Sequence, residues 1–210
     1  MKKKLGTFYA KLYRHFGTQQ WWPAETPFEV MVGAILTQNT SWQNVEKAIV
    51  NLKKKKVLSA KKLHSLTEKK LAALIKPCGF YHLKANRLKT FLKFFFSKYN
   101  GNTKKMAAGN IHNLRKELLM VKGIGPETAD SILLYALNKP VFVVDAYTKR
   151  ILSRHKLITE DATYQEVQDL FMCNLKHQAK LFNEYHALLV KLAKDFCLKR
   201  RPRCEICPVN

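Results

Sequence analysis

Two carboxylates stand in settings suited to chemistry. Glu127 lies in the segment MVKGIGPETAD (residues 120–130), two positions after the second of two glycines that are one residue apart. Asp145 follows the apolar run VFVV and precedes the helical pattern AYTKRILSRH. An aspartate at such a point is a favoured helix N-cap, and an ionised carboxylate can also activate water or stabilise a developing positive charge. Asp145 can serve both purposes at once.

The turn formed by Gly123, Ile124 and Gly125 is predicted to bind phosphate. Glycine lets backbone N–H groups approach a ligand closely, and the start of the following helix carries a partial positive charge. Lys122 adds a full charge beside the turn. An ordinary tight turn between helices has the same pattern, so the motif is weak alone. If the backbone holds the phosphate, Glu127 is free for another task.

Net charge favours a polyanionic partner. The chain has 210 residues, with 38 Lys and Arg against 15 Asp and Glu, a formal charge of +23 and a pI near 9.9. Such an excess is far beyond what solubility needs and is typical of nucleic-acid binding. No apolar run approaches the roughly 20 residues of a membrane span, and no secretion signal is recognisable at the N-terminus. We therefore expect a cytoplasmic protein, and we interpret the Lys53–Lys56 run as a solvated face.

Five cysteines are an odd number, which argues for a reducing compartment over a full disulfide framework. Cys78 and Cys173 stand alone and are interpreted as inert core thiols. Cys197, Cys204 and Cys207 crowd the C-terminal segment. Clustered thiolates are ligands for iron–sulfur clusters or zinc.

Helical patterns predict the elements that position these residues. Thr26 can cap a helix that begins at Pro27, with Glu29 completing a capping box and apolar residues following at helical spacing. We expect this helix to be buried. Further helix starts are expected at Ser41, Ser59, Thr67 and at Thr163, which Glu166 joins in a second capping box. About ten helices and no alternating strand pattern predict an all-α protein.

Two segments resemble those of a known superfamily. The stretch LLMVKGIGPETADSILLYALNKPVFVVDAYTKRIL is similar to the signature of the helix-hairpin-helix DNA glycosylases, which include endonuclease III. The stretch GAILTQNTSW resembles the helix and loop whose glutamine, here Gln38, fills the gap left by an extruded base. The similarity extends over nearly the whole chain.

The resemblance implies a two-lobed all-α DNA repair enzyme. A barrel of about six helices would span residues 25–137 and carry the hairpin, while residues 1–24 and 138–210 would form a terminal helical domain. The lesion pocket would lie in the cleft, with Asp145 as the catalytic residue. The implied partner is duplex DNA with a flipped damaged base. The protein would act as a monomer at the bacterial nucleoid and would not associate with a membrane.

A departure at Glu127 bears on the reaction. In endonuclease III this position is a lysine, whose amine attacks the sugar and permits strand cleavage through a Schiff base. A carboxylate cannot form that adduct. We therefore predict a monofunctional hydrolase that leaves an intact abasic strand.

The aromatic residues favour one substrate. The stretch QQWWPAETPFEVMVGAILTQNTSW looks like the 3-methyladenine glycosylase branch known from epsilon-proteobacteria, which implies that Trp21, Trp22, Trp42 and Glu127 form the base pocket. An N3-alkylated adenine is cationic, and aromatic faces attract a flat cation. Core packing is the alternative role of each tryptophan. Enzymes for uracil, mismatched thymine or oxidised pyrimidines, and a non-catalytic damage-binding protein, are the alternative functions.

The C-terminal cysteines resemble the first three ligands of the [4Fe-4S] motif of endonuclease III, including the basic KRRPR loop inside it. The fourth ligand is expected about six residues after Cys207, beyond Asn210. A shortened chain, a site completed by another ligand and a degenerating motif are open alternatives, and zinc would face the same missing ligand. The loop is expected to contact phosphate with or without a cluster.

Overall fold

Every regular element of the protein is helical. The computed structural model describes residues 1–210 and contains no strand, which confirms the all-α prediction. The α-helices are α1 (Lys2–Phe16), α2 (Pro27–Leu36), α3 (Trp42–Lys54), α4 (Ala60–Ser65), α5 (Glu68–Leu74), α6 (Tyr81–Tyr99), α7 (Thr103–Ala107), α8 (Ile111–Met120), α9 (Pro126–Ser131), α10 (Ala146–Arg154), α11 (Tyr164–Met172) and α12 (Ala179–Asp195). Short 3-10 turns occur at Lys76–Cys78 and Cys204–Ile206, and a π-helical turn at Ile132–Ala136 continues α9. No helix combines the length and hydropathy of a transmembrane segment.

Side-chain caps begin several of these helices where the sequence predicts them. Ser59 and Thr67 accept hydrogen bonds from the backbone three residues ahead in α4 and α5. Thr163 and Glu166 form the reciprocal capping box expected at α11. These caps satisfy backbone N–H groups that have no partner inside the helix.

The start of α2 differs in one detail from its prediction. Thr26 Oγ1 accepts from Glu29 N at 3.1 Å, as expected of an N-cap. The Glu29 carboxylate, however, accepts from Glu25 N at 3.3 Å and pairs with Lys53 Nζ at 2.8 Å, so it does not close a box on Thr26. The ammonium of Lys53 on α3 is the stronger partner for a carboxylate.

Inter-residue contacts divide the chain into two compact units. Met1–Pro23 and Lys139–Asn210 form one, called here the terminal unit, and Ala24–Asn138 form the other, the hairpin unit. The hairpin unit holds the eight helices from α2 to α9. Three of them have only five or six residues, which is too short for a periodic pattern to predict reliably.

The core of the hairpin unit is built on α2 and α6. Nine of the ten residues of α2 are buried, as expected for this helix. Phe28 stacks on Phe95 at 6.1 Å between ring centroids, and Phe95 stacks on Phe91 at 5.6 Å. The helix that leads to Gln38 is therefore fixed along its whole length by the core.

The core of the terminal unit joins α1, α11, α12 and the extended stretch before α10. Phe142, in the extended stretch before α10, stacks on Phe171 of α11 with ring centroids 3.6 Å apart. Tyr185 of α12 is fully buried and its hydroxyl donates to Leu5 O at 3.0 Å, which ties α12 to α1. The segment that leads to Asp145 is thus part of a packed core.

Candidate active site and DNA-binding hairpin

The turn between α8 and α9 has the backbone geometry that its glycines predict. Gly123 has a φ of 93°, and a Cβ at this position would meet Arg87 Cγ at 2.6 Å. Gly125 is different, because a Cβ there would meet nothing within 4 Å. Folding therefore needs glycine at 123, whereas the bare backbone at 125 leaves space for a ligand.

Buried anchors hold the hairpin in shape. Ile124 is buried, and Lys122 beside it is exposed. Arg115 of α8 donates to both carboxylate oxygens of Asp130 in α9, from Nε at 2.7 Å and from Nη2 at 3.1 Å. Asp130 is fully buried, and a bidentate pair of this kind fixes two helices in orientation as well as in distance. Of the predicted DNA contacts, the lysine and the Gly125 backbone are the exposed ones.

Gln38 is held against the hairpin by both ends of its amide. Its Nε2 donates to Gly123 O and to Thr128 Oγ1, each at 2.9 Å. Its Oε1 accepts from Arg87 Nη1 at 2.5 Å. The structure therefore brings Gln38 together with the glycine turn, and it adds Arg87, to which the sequence motifs gave no role.

A buried lysine organises the loops around this cluster. Lys84 is 1% exposed, and its Nζ donates to Leu36 O at 2.9 Å and to Cys78 O at 2.8 Å. These carbonyls lie at the ends of α2 and of the 3-10 turn, and burial lowers the pKa of Lys84. The chain then continues into Gln38 on one side and into Phe80 on the other. Phe80 is 69% exposed, which is unusual for a phenylalanine.

Asp145 is the N-cap of α10, as predicted, and its two oxygens have different partners. Oδ1 accepts from Thr148 N at 2.7 Å and from Thr148 Oγ1 at 2.8 Å. Oδ2 lies 3.6 Å from His186 Nε2. Burial raises the pKa of Asp145, but His186 and the two Thr148 donors together outweigh it and hold that pKa below its ordinary value. The carboxylate is therefore ionised at neutral pH.

The tryptophans lie in both units. Trp21 and Trp22 belong to the terminal unit, are partly exposed and have ring centroids 5.6 Å apart. Lys194 Nζ lies 6.0 Å from the Trp21 ring centroid. Trp42, the first residue of α3, and the exposed Glu127 belong to the hairpin unit. The structure thus pairs the first two indoles, while a pocket made of all four residues stays a prediction.

Helix α12 positions the segment that carries these indoles. Both oxygens of Glu184 accept hydrogen bonds from that segment, Oε2 from Thr18 Oγ1 at 2.8 Å and Oε1 from Gln19 N at 2.7 Å. The same helix carries His186, which faces Asp145. One rigid element therefore orients the catalytic candidate and the start of the tryptophan pair.

The cysteines do not form a ligand set. Cys197 is buried, Cys204 is exposed and Cys207 is intermediate, and no group of three or more Cys, His, Asp or Glu side chains is placed to hold a metal ion. The buried Cys197 Sγ accepts from Arg154 Nη1 at 3.3 Å. The residues as placed do not fit a [4Fe-4S] cluster, which needs convergent thiolates. No chemistry is assigned to them.

The two isolated cysteines differ from each other. Cys78 is buried, and burial raises its pKa to about 11, so it is an unreactive thiol. Cys173 is exposed, and its expected place in the core is wrong. It follows the last residue of α11 and so lies outside the buried face of that helix.

His186 is the second residue that sequence reasoning missed. It is separated from Asp145 by forty intervening positions, and nothing in the pattern of NEYHALLVKLAKDF connects the two. The only available signal is a histidine among the buried positions of a long amphipathic helix. A buried imidazole of this kind usually has a polar partner.

The hairpin and the capped aspartate on an all-helical scaffold define the class of the helix-hairpin-helix DNA glycosylases. The chain belongs to the HhH-GPD superfamily of base excision DNA repair proteins, which matches residues 32–177. It is accordingly an enzyme, a DNA repair glycosylase, and the DNA that this family repairs is its macromolecular partner.

Particular relatives support this assignment. A candidate DNA repair glycosylase of Methanocaldococcus jannaschii is 52% identical over 204 residues, covering 96% of this chain and 92% of that protein. The crystal structure of the H. pylori 3-methyladenine DNA glycosylase MagIII, bound to 1,N6-ethenoadenine, matches with a TM-score of 0.76 and 31% identity, covering 92% of this chain and 95% of that one. A trapped endonuclease III–DNA covalent intermediate matches the fold with a TM-score of 0.84 at 20% identity, covering 100% and 93% of the two chains.

Proposed function

We propose that this protein is a monofunctional DNA glycosylase that hydrolyses the N-glycosidic bond of alkylated purines in duplex DNA, with 3-methyladenine as its main substrate. The observation that carries the proposal is the arrangement of Asp145. One of its oxygens is used by the helix cap, and the other faces His186 in a setting that keeps the carboxylate ionised. Such an oxygen can stabilise a cationic sugar and accept a proton from water.

The reaction is a displacement by water at the sugar C1′. The C1′–N9 bond breaks and its electron pair moves to the purine, which cancels the positive charge that alkylation placed there. The water oxygen bonds to C1′, and its proton passes to Asp145 or to solvent. Because the leaving base starts as a cation, little help from a general acid is needed.

Glu127 supports hydrolysis without strand cleavage. It occupies the second position of α9, where a lysine would supply an amine nucleophile. A carboxylate forms no Schiff base with the sugar. At this exposed position it can instead complement the charge of a cationic base and accept a hydrogen bond from it.

The aromatic residues support a cationic base as the substrate. Trp21 and Trp22 form a partly exposed pair, and Trp42 begins α3. Each cation–π contact is worth roughly 0.5 to 2 kcal/mol, depending on desolvation. The likeness to MagIII, a 3-methyladenine DNA glycosylase, points in the same direction.

DNA binding is assigned to the hairpin and its surroundings. The exposed Lys122 and the bare backbone at Gly125 would contact phosphates of the damaged strand. Gln38 would fill the gap left by the flipped nucleotide after exchanging its present hydrogen bonds for contacts with bases. Flipping costs a few kcal/mol, and less for a damaged base. The reaction does not involve Cys197, Cys204 or Cys207, and a [4Fe-4S] cluster in their loop would require these thiols to move from their present positions.

The decisive experiment measures base release from duplex DNA containing 3-methyladenine, 7-methylguanine, hypoxanthine and uracil side by side. We expect the fastest release for 3-methyladenine, with an intact abasic strand as the second product. An Asp145→Asn variant should bind the same DNA and release far less base. Faster release of uracil, or equal rates for the variant and the wild type, would reject the proposal.

A further inference from the structure

The two oxygens of Asp145 are not equivalent, and this asymmetry defines which of them can react. Oδ1 already accepts two hydrogen bonds from Thr148, at 2.7 and 2.8 Å. Those bonds hold the first turn of α10 and would be lost if Oδ1 took part in chemistry. Oδ2 is therefore the oxygen left for a water molecule, and the polar atom beside it is His186 Nε2 at 3.6 Å.

His186 is held rigidly at this place. His186 is 5% exposed and lies in the middle of the 17-residue helix α12. Its ring packs edge-on against Phe142, with 6.4 Å between the ring centroids. Phe142 belongs to the same buried stretch that ends at Asp145. The imidazole and the carboxylate are thus placed by one core, so their separation is a property of the packed unit.

The distance between them suits a positioning role. At 3.6 Å the contact is longer than an ordinary hydrogen bond. Oδ2 therefore keeps the capacity to accept a proton from water, while the imidazole edge restricts rotation of the carboxylate about its Cβ–Cγ bond. The nearby imidazole also lowers the pKa of Asp145, which favours the ionised carboxylate, the reactive form.

We infer that His186 is a positioning residue for the glycosylase reaction, which aims Asp145 Oδ2 at the attacking water. The inference rests on the proposed role of Asp145 and adds a residue that acts through it. His186 itself need not touch the DNA.

Two substitutions at this position separate the polar role from packing. His186→Gln places an amide nitrogen the same number of bonds from Cα as the imidazole Nε2, whereas His186→Leu fills much of the space without a polar group. Tyr185→Phe is the matched control, because it removes the buried hydrogen bond to Leu5 O from the adjacent residue of α12 without touching Asp145. All three variants are compared with the wild type in single-turnover excision of 3-methyladenine, in thermal unfolding and in binding to duplex DNA with an abasic-site analogue.

We expect His186→Leu to slow the single-turnover rate by about tenfold to a hundredfold, the loss that corresponds to one hydrogen bond or close contact with a charged group. His186→Gln should recover most of that rate, and DNA affinity should stay within about threefold of the wild type, a difference too small for a lost direct contact. Tyr185→Phe should lower the unfolding temperature and leave the rate nearly unchanged. In an Asp145→Asn background, His186→Leu should have little further effect on the rate.

Three outcomes would overturn the inference. The first is a wild-type rate in His186→Leu, the second is an equal loss in the Leu and Gln variants, and the third is an equal loss in Tyr185→Phe, which would indicate a folding effect. Failure of the proposed function is distinguishable, because the wild-type protein itself would then release no base.

Discussion

Arg87 of α6 binds Gln38 through its guanidinium and packs the stem of its side chain against Gly123, so one arginine joins the loop after α2 to the turn of the hairpin. Forty-eight residues separate Arg87 from Gln38 along the chain, and thirty-five separate it from Gly123. Gln38 in turn donates to Gly123 O and Thr128 Oγ1. The segment expected to fill the DNA gap and the turn expected to bind phosphate are thus one hydrogen-bonded assembly.

Replacing Arg87 should loosen this assembly. We expect Arg87→Met to reduce the free energy of unfolding by about 1 to 2 kcal/mol, since a charge-assisted hydrogen bond and its packing are lost. Duplex DNA affinity should also fall by more than the loss of one charge explains. Lys93→Met is the control, because Lys93 is an exposed cation on the same helix. Equal effects of both substitutions on DNA binding at one salt concentration would contradict the bracing role of Arg87.

The two hairpin glycines should respond differently to alanine. Gly123→Ala should destabilise the fold by roughly 1 to 3 kcal/mol, because the backbone is left-handed there and the new methyl group meets Arg87. Gly125→Ala should leave the unfolding temperature nearly unchanged, since the space around it is open.

The two glycine variants should also be compared in their affinity for duplex DNA. Because Gly125→Ala covers a backbone that would approach a phosphate, we expect it to weaken duplex binding by about threefold or more, or roughly 1 kcal/mol. Chemical denaturation and fluorescence anisotropy measure the two quantities. Unchanged binding in Gly125→Ala would remove this turn from the interface.

Asp145 should make stability depend on pH in the acid range. Its folded-state pKa lies below the ordinary value of 3.8, so its ionised form stabilises the folded state. This contribution is fully present above the unfolded-state pKa and is lost as pH falls through the folded-state pKa. The difference in unfolding free energy between the wild type and Asp145→Asn should therefore be constant near neutral pH and shrink below pH 3.8. If the difference in unfolding free energy grew on acidification, the pKa of Asp145 would be raised by folding, and the prediction would be wrong.

Glu127 should discriminate between charged and neutral bases. Glu127→Gln removes the negative charge and keeps the shape, so we expect release of 3-methyladenine to fall by about tenfold, or 1.4 kcal/mol. Release of neutral hypoxanthine should change much less. Borohydride should trap no covalent complex between the wild-type protein and lesion DNA. Trapping of the wild type, or equal losses for both bases, would show that Glu127 has another role.

The exposed Cys204 should be dispensable for folding if no metal binds the C-terminal cysteines. We expect Cys204→Ser to leave the unfolding temperature within about 2 °C of the wild type, because an exposed side chain away from special contacts contributes little. Arg154→Ala should destabilise more, since Arg154 donates to Cys197 Sγ, Leu198 O and Lys199 O. Iron analysis and absorbance near 400 nm of anaerobically purified protein complete the test. If the wild type contained an iron–sulfur cluster that Cys204→Ser lacked, the predicted cofactor would be supported and the dispensability of Cys204 contradicted.

Local chemistry along the chain determined where several helices begin and which kind of partner the protein binds. Capping residues and Gly or Pro signals placed the starts of α2, α4, α5 and α11, because a cap and its partner lie within three positions of each other. The same locality explains why Asp145 could be predicted as an N-cap and the glycine turn as a hairpin. The charge excess predicted a polyanionic partner without any structure.

Only the tertiary structure decided which distant residues meet. His186 beside Asp145, Arg87 beside Gln38 and Lys84 beneath the loops are contacts between residues of different elements. The packing of whole helices sets these distances. A periodic pattern predicts which face of a helix is buried, but it does not predict which residues that face contacts. The same limit applies to Cys197, Cys204 and Cys207, because a resemblance in sequence to a ligand set does not by itself decide whether the thiols converge in space.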